Sequence, residues 1–454
     1  MLGYNFNHSI LFCLYKTLKN IANNAIITIT MDSVISILFY VFSFLAIYIQ
    51  VFFLVTYIEK RKTIIKNPDK LKLKFYPTVT VAVPCYNEEG TITKTVNSLL
   101  NLDYPKSKLR LFLIDDGSKD NTWNIIKEFH NGKNIFAFTK ENGGKHTALN
   151  LALERTDSEF FGCLDSDSLV HPQALKRILS YFERDKETMA VCPSIVVYEP
   201  KNFLQKAQTV EYHMSIYNKK MLGFVGGIHV TPGPFSIFRK KVFDELGHYH
   251  KAHNTEDQEI ALRMQKNGYK IDHCPDAYVY TITPNTVKKL YKQRLRWIYG
   301  FIKNLMDYKT LLFKKKYGTV GLLTLPSGII GVVGVIFLFV NVVYNLSNFI
   351  YHKIIQIQTV GFDNLFSFNG FSFDWFFLNT KAVIFSSIFM YGLILTSLLI
   401  GRKLAENRAK FSVSVFYYLI VYSVVAPFWM LKAALNSIVS KESSWTGERR
   451  VKSS

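Results

Sequence analysis

The chain has 454 residues, with 55 Lys and Arg against 34 Asp and Glu, a formal net charge of +21. Hydrophobic residues make up 49% and aromatics 15%, which excludes a disordered chain, and 24 Gly with 13 Pro excludes a collagen-like one. The five cysteines stand far apart, with no CxxC and no Cys–His cluster, which argues against a disulfide scaffold or a structural zinc site.

In chain order, residues 1–32 read as an amphipathic interfacial helix or a disordered segment, since Lys16 and Lys19 interrupt the apolar run from Ile10. Ser33 to Ile58 carries no charge and exceeds the roughly 20 residues that span a bilayer. A secretory signal would have a shorter apolar run and a small-residue cleavage site. Further apolar runs cover Tyr317 to about Tyr344, Ala382 to Gly401, and Phe411 to Leu431, the last containing Pro427. The basic cluster after the first run (Lys60, Arg61, Lys62, Lys66, Lys70, Lys72 and Lys74) predicts a cytosolic middle. The loop from Asn345 to Thr380 has one Lys against two Asp and suits the outside, whereas the loop from Arg402 to Lys410 is basic and suits the inside. Whether the segment 411–436 crosses or re-enters decides the side of the basic tail, 437–454, and composition leaves both open. The overall positive charge fits lysines facing anionic lipid, and no nucleic-acid-binding motif accompanies it.

The middle, 76–310, alternates strands and helices. Strands are predicted at Thr78–Val83, stopping at Pro84, and at Leu109–Ile114, Ile135–Thr139 and Phe160–Leu164. Helices are predicted at Thr91–Leu100, Asn121–Phe129 and Thr147–Glu154. That order predicts an α/β, mostly parallel Rossmann-like sheet with helices on both faces, whose ligands bind at the strands' carboxyl ends. The clusters Tyr86-Asn87-Glu88, Asp115-Asp116 and Asp165-Ser166-Asp167 all fall at such ends. Asp165 and Asp167 flank one residue and could share Mg2+ or Mn2+, ions that take few carboxylates plus phosphate oxygens; the same residues also suit a turn or a helix cap. Asp116 could accept from a base or ribose, or close a simple turn. Asn142-Gly143-Gly144-Lys145 permits close backbone approach and offers a cation for phosphate, or is a surface loop. Thr255-Glu256-Asp257 precedes a predicted helix over Gln258–Asn267 and reads as a cap or as a general base, Glu256 and Asp257 being the carboxylates. Gln293-Arg294-Leu295-Arg296-Trp297 lies in a basic amphipathic segment, Val287–Leu305, suited to the bilayer surface. Gln293 and Arg296 can share a face and hold diphosphate oxygens, while Trp297 offers a flat surface for a sugar.

PCYNE, DDGS, DSD, TED and QRLRW in that order, followed by apolar spans, resemble the processive family 2 glycosyltransferases: hyaluronan, chitin, cellulose and poly-N-acetylglucosamine synthases. The resemblance implies a GT-A fold set between transmembrane helices, and inverting transfer from a UDP-sugar to a growing polysaccharide secreted through the spans. It implies that Tyr86, Glu88 and Asp116 contact uridine and that Lys145 approaches the nucleotide. Asp165 and Asp167 would bind UDP, with Mg2+ or Mn2+ between, and Asp257 beside Glu256 would be the base. Gln293, Arg296 and their neighbour Arg294 would bind substrate, Trp297 would sit under the acceptor sugar, and helices near Leu204–Leu222 and Val287–Leu305 would dock the domain on the membrane. The tail Trp445-Thr446-Gly447-Glu448-Arg449 partly matches a Trp-Gly-Thr-x-Arg motif that covers the nucleotide, which assigns Trp445 and Arg449 to substrate. The cellulose-type FxVTxK loop is absent from this sequence. The closer likeness points to UDP-N-acetylglucosamine as donor, although no residue singled out recognises the acetamido group. The expected partners are therefore the UDP-sugar, the polysaccharide and the bilayer, without nucleic acid and with an accessory subunit left open. The alternative is a single-addition transferase on a polyprenyl-phosphate or lipid-linked acceptor, which usually lacks QxxRW. A non-catalytic GT-A protein is disfavoured by the intact Asp165, Asp167, Asp257 and Arg296.

Overall fold

The computed structural model describes residues 34–35, 37–64, 73–360, 382–406 and 410–439. The chain divides into two compact units, one of Met1–Phe52 with Phe368–Ile394 and one of Phe53–Ser367 with Leu395–Ser454. In the first, the described residues form helical turns, on which Phe385 and Phe389 are exposed and stack their rings at 6.4 Å.

The second unit holds an eight-stranded sheet of order β3-β2-β1-β4-β7-β6-β8-β5. Its strands are β1 (Val79–Cys85), β2 (Leu109–Asp115), β3 (Ile135–Thr139), β4 (Phe160–Cys163), β5 (Ser168–Val170), β6 (Thr188–Val197), β7 (Ile237–Arg239) and β8 (Lys270–Thr281). Pairs β1–β2, β1–β4, β2–β3 and β6–β8 are parallel, and β4–β7, β6–β7 and β5–β8 antiparallel. β1 is buried along its whole length, as a parallel strand covered on both faces must be. One face packs on α2 (Ile92–Leu100), α3 (Thr122–Glu128) and α5 (Ala174–Arg184), through Ile92, Val96, Ile126, Leu175 and Ile178. The other packs on α4 (Lys145–Arg155), α7 (Lys241–Leu246) and α8 (Glu256–Lys266), through Ala148, Ala152, Phe243, Ile260 and Met264.

Strand β1 does not stop at Pro84. Its ladder with β4 ends at Ala82, so the missing N–H of Pro84 lies past the last β4 partner while pairing with β2 continues to Cys85. The helix predicted over Gln258–Asn267 begins earlier, so that Glu256 and Asp257 form its first turn, where the positive helix end favours carboxylates.

Two long helices, α6 (Phe203–Phe224) and α9 (Val287–Asp307), follow β6 and β8. α6 opens with a capping box between Asn202 and Gln205. Among the described residues, four helices are long and apolar enough to cross a membrane: Ile37–Thr63 (α1), Val320–Thr359, Phe385–Glu406 and Ser414–Ile438. The second, third and fourth belong to α10 (Leu325–Val360), α11 (Ala382–Glu406) and α12 (Ser414–Ile438). α10 runs 36 residues, well past the Tyr344 predicted from hydropathy, because Asn345, Ser347 and Thr359 bond carbonyls one turn back and nothing breaks the backbone. Pro427 is accommodated inside α12 and buried. α12 lies against α6 and α9, where Leu204, Ala207, Leu290, Val421, Ala426 and Trp429 make a small core of their own. Residues 1–32 and the tail from 440 onward lie outside the described residues.

Candidate active site

A cleft of about 540 Å3 opens at the carboxyl ends of β1, β2 and β4. Of the residues singled out from sequence, Tyr86, Glu88, Asp116, Lys145, Asp165, Asp167, Glu256, Asp257, Gln293, Arg296 and Trp297 line it. Arg294 does not, and Trp445 and Arg449 lie outside the described residues.

One wall is made by strand-end loops tied to one another. Asn87 adopts a left-handed backbone (φ 55), tolerable for Asn, and its Oδ1 accepts from the Lys119 amide at 2.8 Å. The Ser118 hydroxyl accepts from the Asn87 amide at 2.9 Å, and Thr122 Oγ1 accepts from the Glu88 amide at 2.8 Å. Asp116 is buried; its carboxylate accepts from Lys140 Nζ (2.6 Å) and from the Gly143 and Gly144 amides (3.1 and 2.8 Å). Gly144 has φ 90, and a Cβ on Gly143 would lie 2.7 Å from Thr147 Oγ1, so this loop needs both glycines.

At the centre, Lys145 Nζ lies 2.7 Å from Asp165 and 3.3 Å from Glu256. Burial acts to lower the Lys145 ammonium, but Asp165 and Glu256 outweigh it and hold the group above its usual range. Burial first, then the neighbouring Asp165 and Glu88, pushes the Asp167 carboxyl up. Burial, then Glu256, pushes Asp257 up to about 6. The Asp257 carbonyl accepts from both the amide and the hydroxyl of Thr231 (3.1 and 2.8 Å), which fixes the start of α8. Close packing against α9 needs Gly300, where a Cβ would lie 2.4 Å from the Thr255 side chain.

Three contributors escaped the sequence reading. The Pro232-Gly233-Pro234 loop lines the cleft, and a Cβ on Gly233 would lie 2.6 Å from Lys145 Nζ and 3.2 Å from Asp165 Oδ1. Lys219 and His229, from α6 and the loop after it, also line the cleft, where burial lowers the ammonium of the first and holds the imidazole of the second at about 4. A proline–glycine loop and a lysine on an amphipathic helix carry no signal of their own; the adjacent TPGPF run was the only available hint.

Arg296 is half-buried on the cleft wall with no acidic partner among the described residues, a cation with capacity for an anion. Among the described residues no three His, Cys, Asp or Glu side chains converge as a metal cage. Two adjacent carboxylates, one with its proton affinity raised by burial and by the other, suit an ion that keeps water and phosphate oxygens in its shell, which is the preference of Mg2+.

Residues 80–247 match the family model for glycosyl transferase family 2. The matched residues make up a little over a third of the chain. Its region of similarity to the poly-beta-1,6-N-acetyl-D-glucosamine synthase of Staphylococcus aureus is 31% identical over 244 residues, 53% of this chain and 58% of that protein. The Staphylococcus epidermidis synthase of the same description is 31% identical over 224 residues, 49% of this chain and 54% of its own. The chain thus matches little more than half the length of these curated relatives. A mannosyltransferase from Pyrobaculum calidifontis, solved with GDP-Man and Mn2+, superposes with a TM-score of 0.50 at 16% identity, over 88% of this chain and all of its own. That likeness concerns the fold, and it agrees with a GT-A sheet in the matched region. The motif resemblance to processive family 2 synthases agrees with the staphylococcal relatives.

Proposed function

We propose that the protein is a membrane-embedded inverting glycosyltransferase that moves a sugar from a UDP-sugar, UDP-N-acetylglucosamine in the best-supported case, to a growing β-linked polysaccharide. The observation that carries this reading is one cleft lined together by a raised carboxyl, Asp257, by the Lys145–Asp165–Glu256 cluster, and by Gln293, Arg296 and Trp297. In the reaction, Asp257 accepts the proton of an acceptor hydroxyl. The oxygen attacks the donor's anomeric carbon from the face opposite UDP, and the bond to the diphosphate oxygen breaks with its electron pair leaving on UDP. One displacement inverts the configuration and needs no enzyme nucleophile. Lys145 and Arg296 face the growing negative charge, and Gln293 donates to the diphosphate. Trp297 supports the acceptor ring. Asp165 and Asp167 would hold Mg2+ or Mn2+, which when bound supplies charge neutralisation to the diphosphate.

The two staphylococcal relatives support a poly-N-acetylglucosamine product. The helices long enough to span support a membrane setting, and the basic cluster after the first of them supports a cytosolic sheet domain, with the polymer leaving through the spans as part of the same proposal. The test is UDP release by the purified full chain with Mg2+ or Mn2+ across a panel of UDP-sugars, with products sized on a gel. A ladder or high-mass smear with one donor identifies the sugar and the processivity. Single addition that requires polyprenyl phosphate would replace this reading with the lipid-acceptor alternative.

A further inference from the structure

Arg294, expected at the substrate, faces the other way. Its guanidinium is buried, at 4% exposure, and donates to Glu211 of α6 at 2.5 Å. The same Glu211 oxygen accepts from the hydroxyl of Tyr422, which belongs to α12. Tyr422 is itself held by its neighbours, tilted on Tyr418 at 4.8 Å and edge-on to Trp429 at 5.8 Å. On its other side Arg294 touches two cleft-lining residues: it donates to Gln293 Oε1 at 2.8 Å, and its Cζ stands 4.1 Å from the Trp297 ring centre. The second contact follows from helical spacing, since residues three apart share a face, and a guanidinium over an indole is attracted to the ring and fixes its plane.

A buried guanidinium needs an anion beside it. Glu211 supplies it, so the rotamer of Arg294 is dictated by where α6 holds that carboxylate. Tyr422 occupies the shared oxygen and so sets how the carboxylate turns. We propose that Tyr422, Glu211 and Arg294 form a positioning relay through which an apolar, membrane-length helix sets the Trp297 indole at the acceptor end of the cleft. None of the three is a catalytic residue; each acts through the next. The relay rests on the synthase reading for its consequence, which is control of chain elongation rather than of donor binding. Its geometry stands apart from that reading.

The test uses the full chain in lipid nanodiscs with Tyr422→Phe, which deletes one hydroxyl and leaves the ring packing, and Glu211→Gln, which keeps the shape of the carboxylate. Three quantities are read: UDP affinity in the presence of Mn2+, product length, and the emission of Trp297 isolated as the difference from a matched Trp297→Phe protein. For Tyr422→Phe the relay predicts UDP affinity within about twofold, product length reduced roughly five- to tenfold and a shifted Trp297 emission. Combining it with Glu211→Gln should add nothing beyond Glu211→Gln alone, because members of one network are non-additive. Unchanged Trp297 emission, additive effects, or a loss of UDP affinity equal to the loss of product would each overturn the relay. If the parent protein makes no polymer with any donor, the synthase reading fails, and the Trp297 emission of the same variants still decides the relay.

Discussion

The two ends of the cleft are built by different means. The end proposed to take the donor is made of strand-end loops whose backbones are stitched together over short distances, as with Asn87 to Lys119 and Asp116 to Gly143 and Gly144. The end proposed to take the acceptor is made of helices: α8 starts against the Thr231 side chain, α9 packs on it through Gly300, and Trp297 leans on Arg294. The lesson is that the nucleotide end is a property of the sheet. The proposed sugar end depends also on α12, an element far downstream in sequence that a fragment ending with β8 would lose.

Substitutions can break or sharpen this division. The largest effect is expected at its boundary: Asp257→Asn should lower UDP release about 10^2- to 10^4-fold while calorimetry finds UDP affinity nearly intact. Full activity would remove Asp257 from the role of base. Next, Asp165→Ala should raise the dissociation constant for UDP with Mn2+ at least about tenfold, roughly 1.4 kcal/mol, and leave product length per turnover unchanged; shortened polymers would mean that the two ends are not separate. The pH profile follows from the raised Asp257 carboxyl. The base works when ionised, so rate should be lost as pH falls through about 6, and one pH unit lower about a tenth of the molecules should remain competent. An acid limb near pH 4 would contradict the burial described for this group. The smallest effect is expected for Gly233→Ala, whose methyl would push Lys145 off Asp165. UDP affinity should fall about threefold with a melting temperature within about 2 °C of the parent, read by calorimetry and thermal unfolding.

Much of the donor end was legible in the sequence because its signals are local. β-branched runs ending in Asp, Asn and Gly mark strand ends wherever they occur, and DSD and DDGS lie where those ends converge. Pro84 misled for a physical reason: proline breaks a strand only where a partner needs its N–H, and the neighbouring strand had already ended. Hydropathy shortened α10 because Asn345, Ser347 and Lys353 look like loop residues, although their polar groups are satisfied within the helix by backbone or side-chain partners one turn away. The orientation of Arg294 could not be read. QRLRW places two arginines two residues apart, which is nearly opposite faces of a helix, and only the position of Glu211 decides which one turns inward to the protein. Lys219 and Gly233 were missed because their meaning comes from what folds against them.

One dimension of the molecule has a mechanical consequence. At 1.5 Å per residue, the 36 residues of α10 make a rod about 54 Å long. The hydrocarbon layer is about 30 Å thick, and helices lean by up to about 40°, so even a steeply leaning α10 uses only about 40 Å of its length in lipid. On the proposed membrane reading, roughly ten residues therefore stand clear of the oil as a rigid post in the aqueous phase. Lys353 and Gln356, which bond each other at 3.0 Å, lie near its far end. A post of that kind gives anything that meets the emerging chain a fixed place to stand.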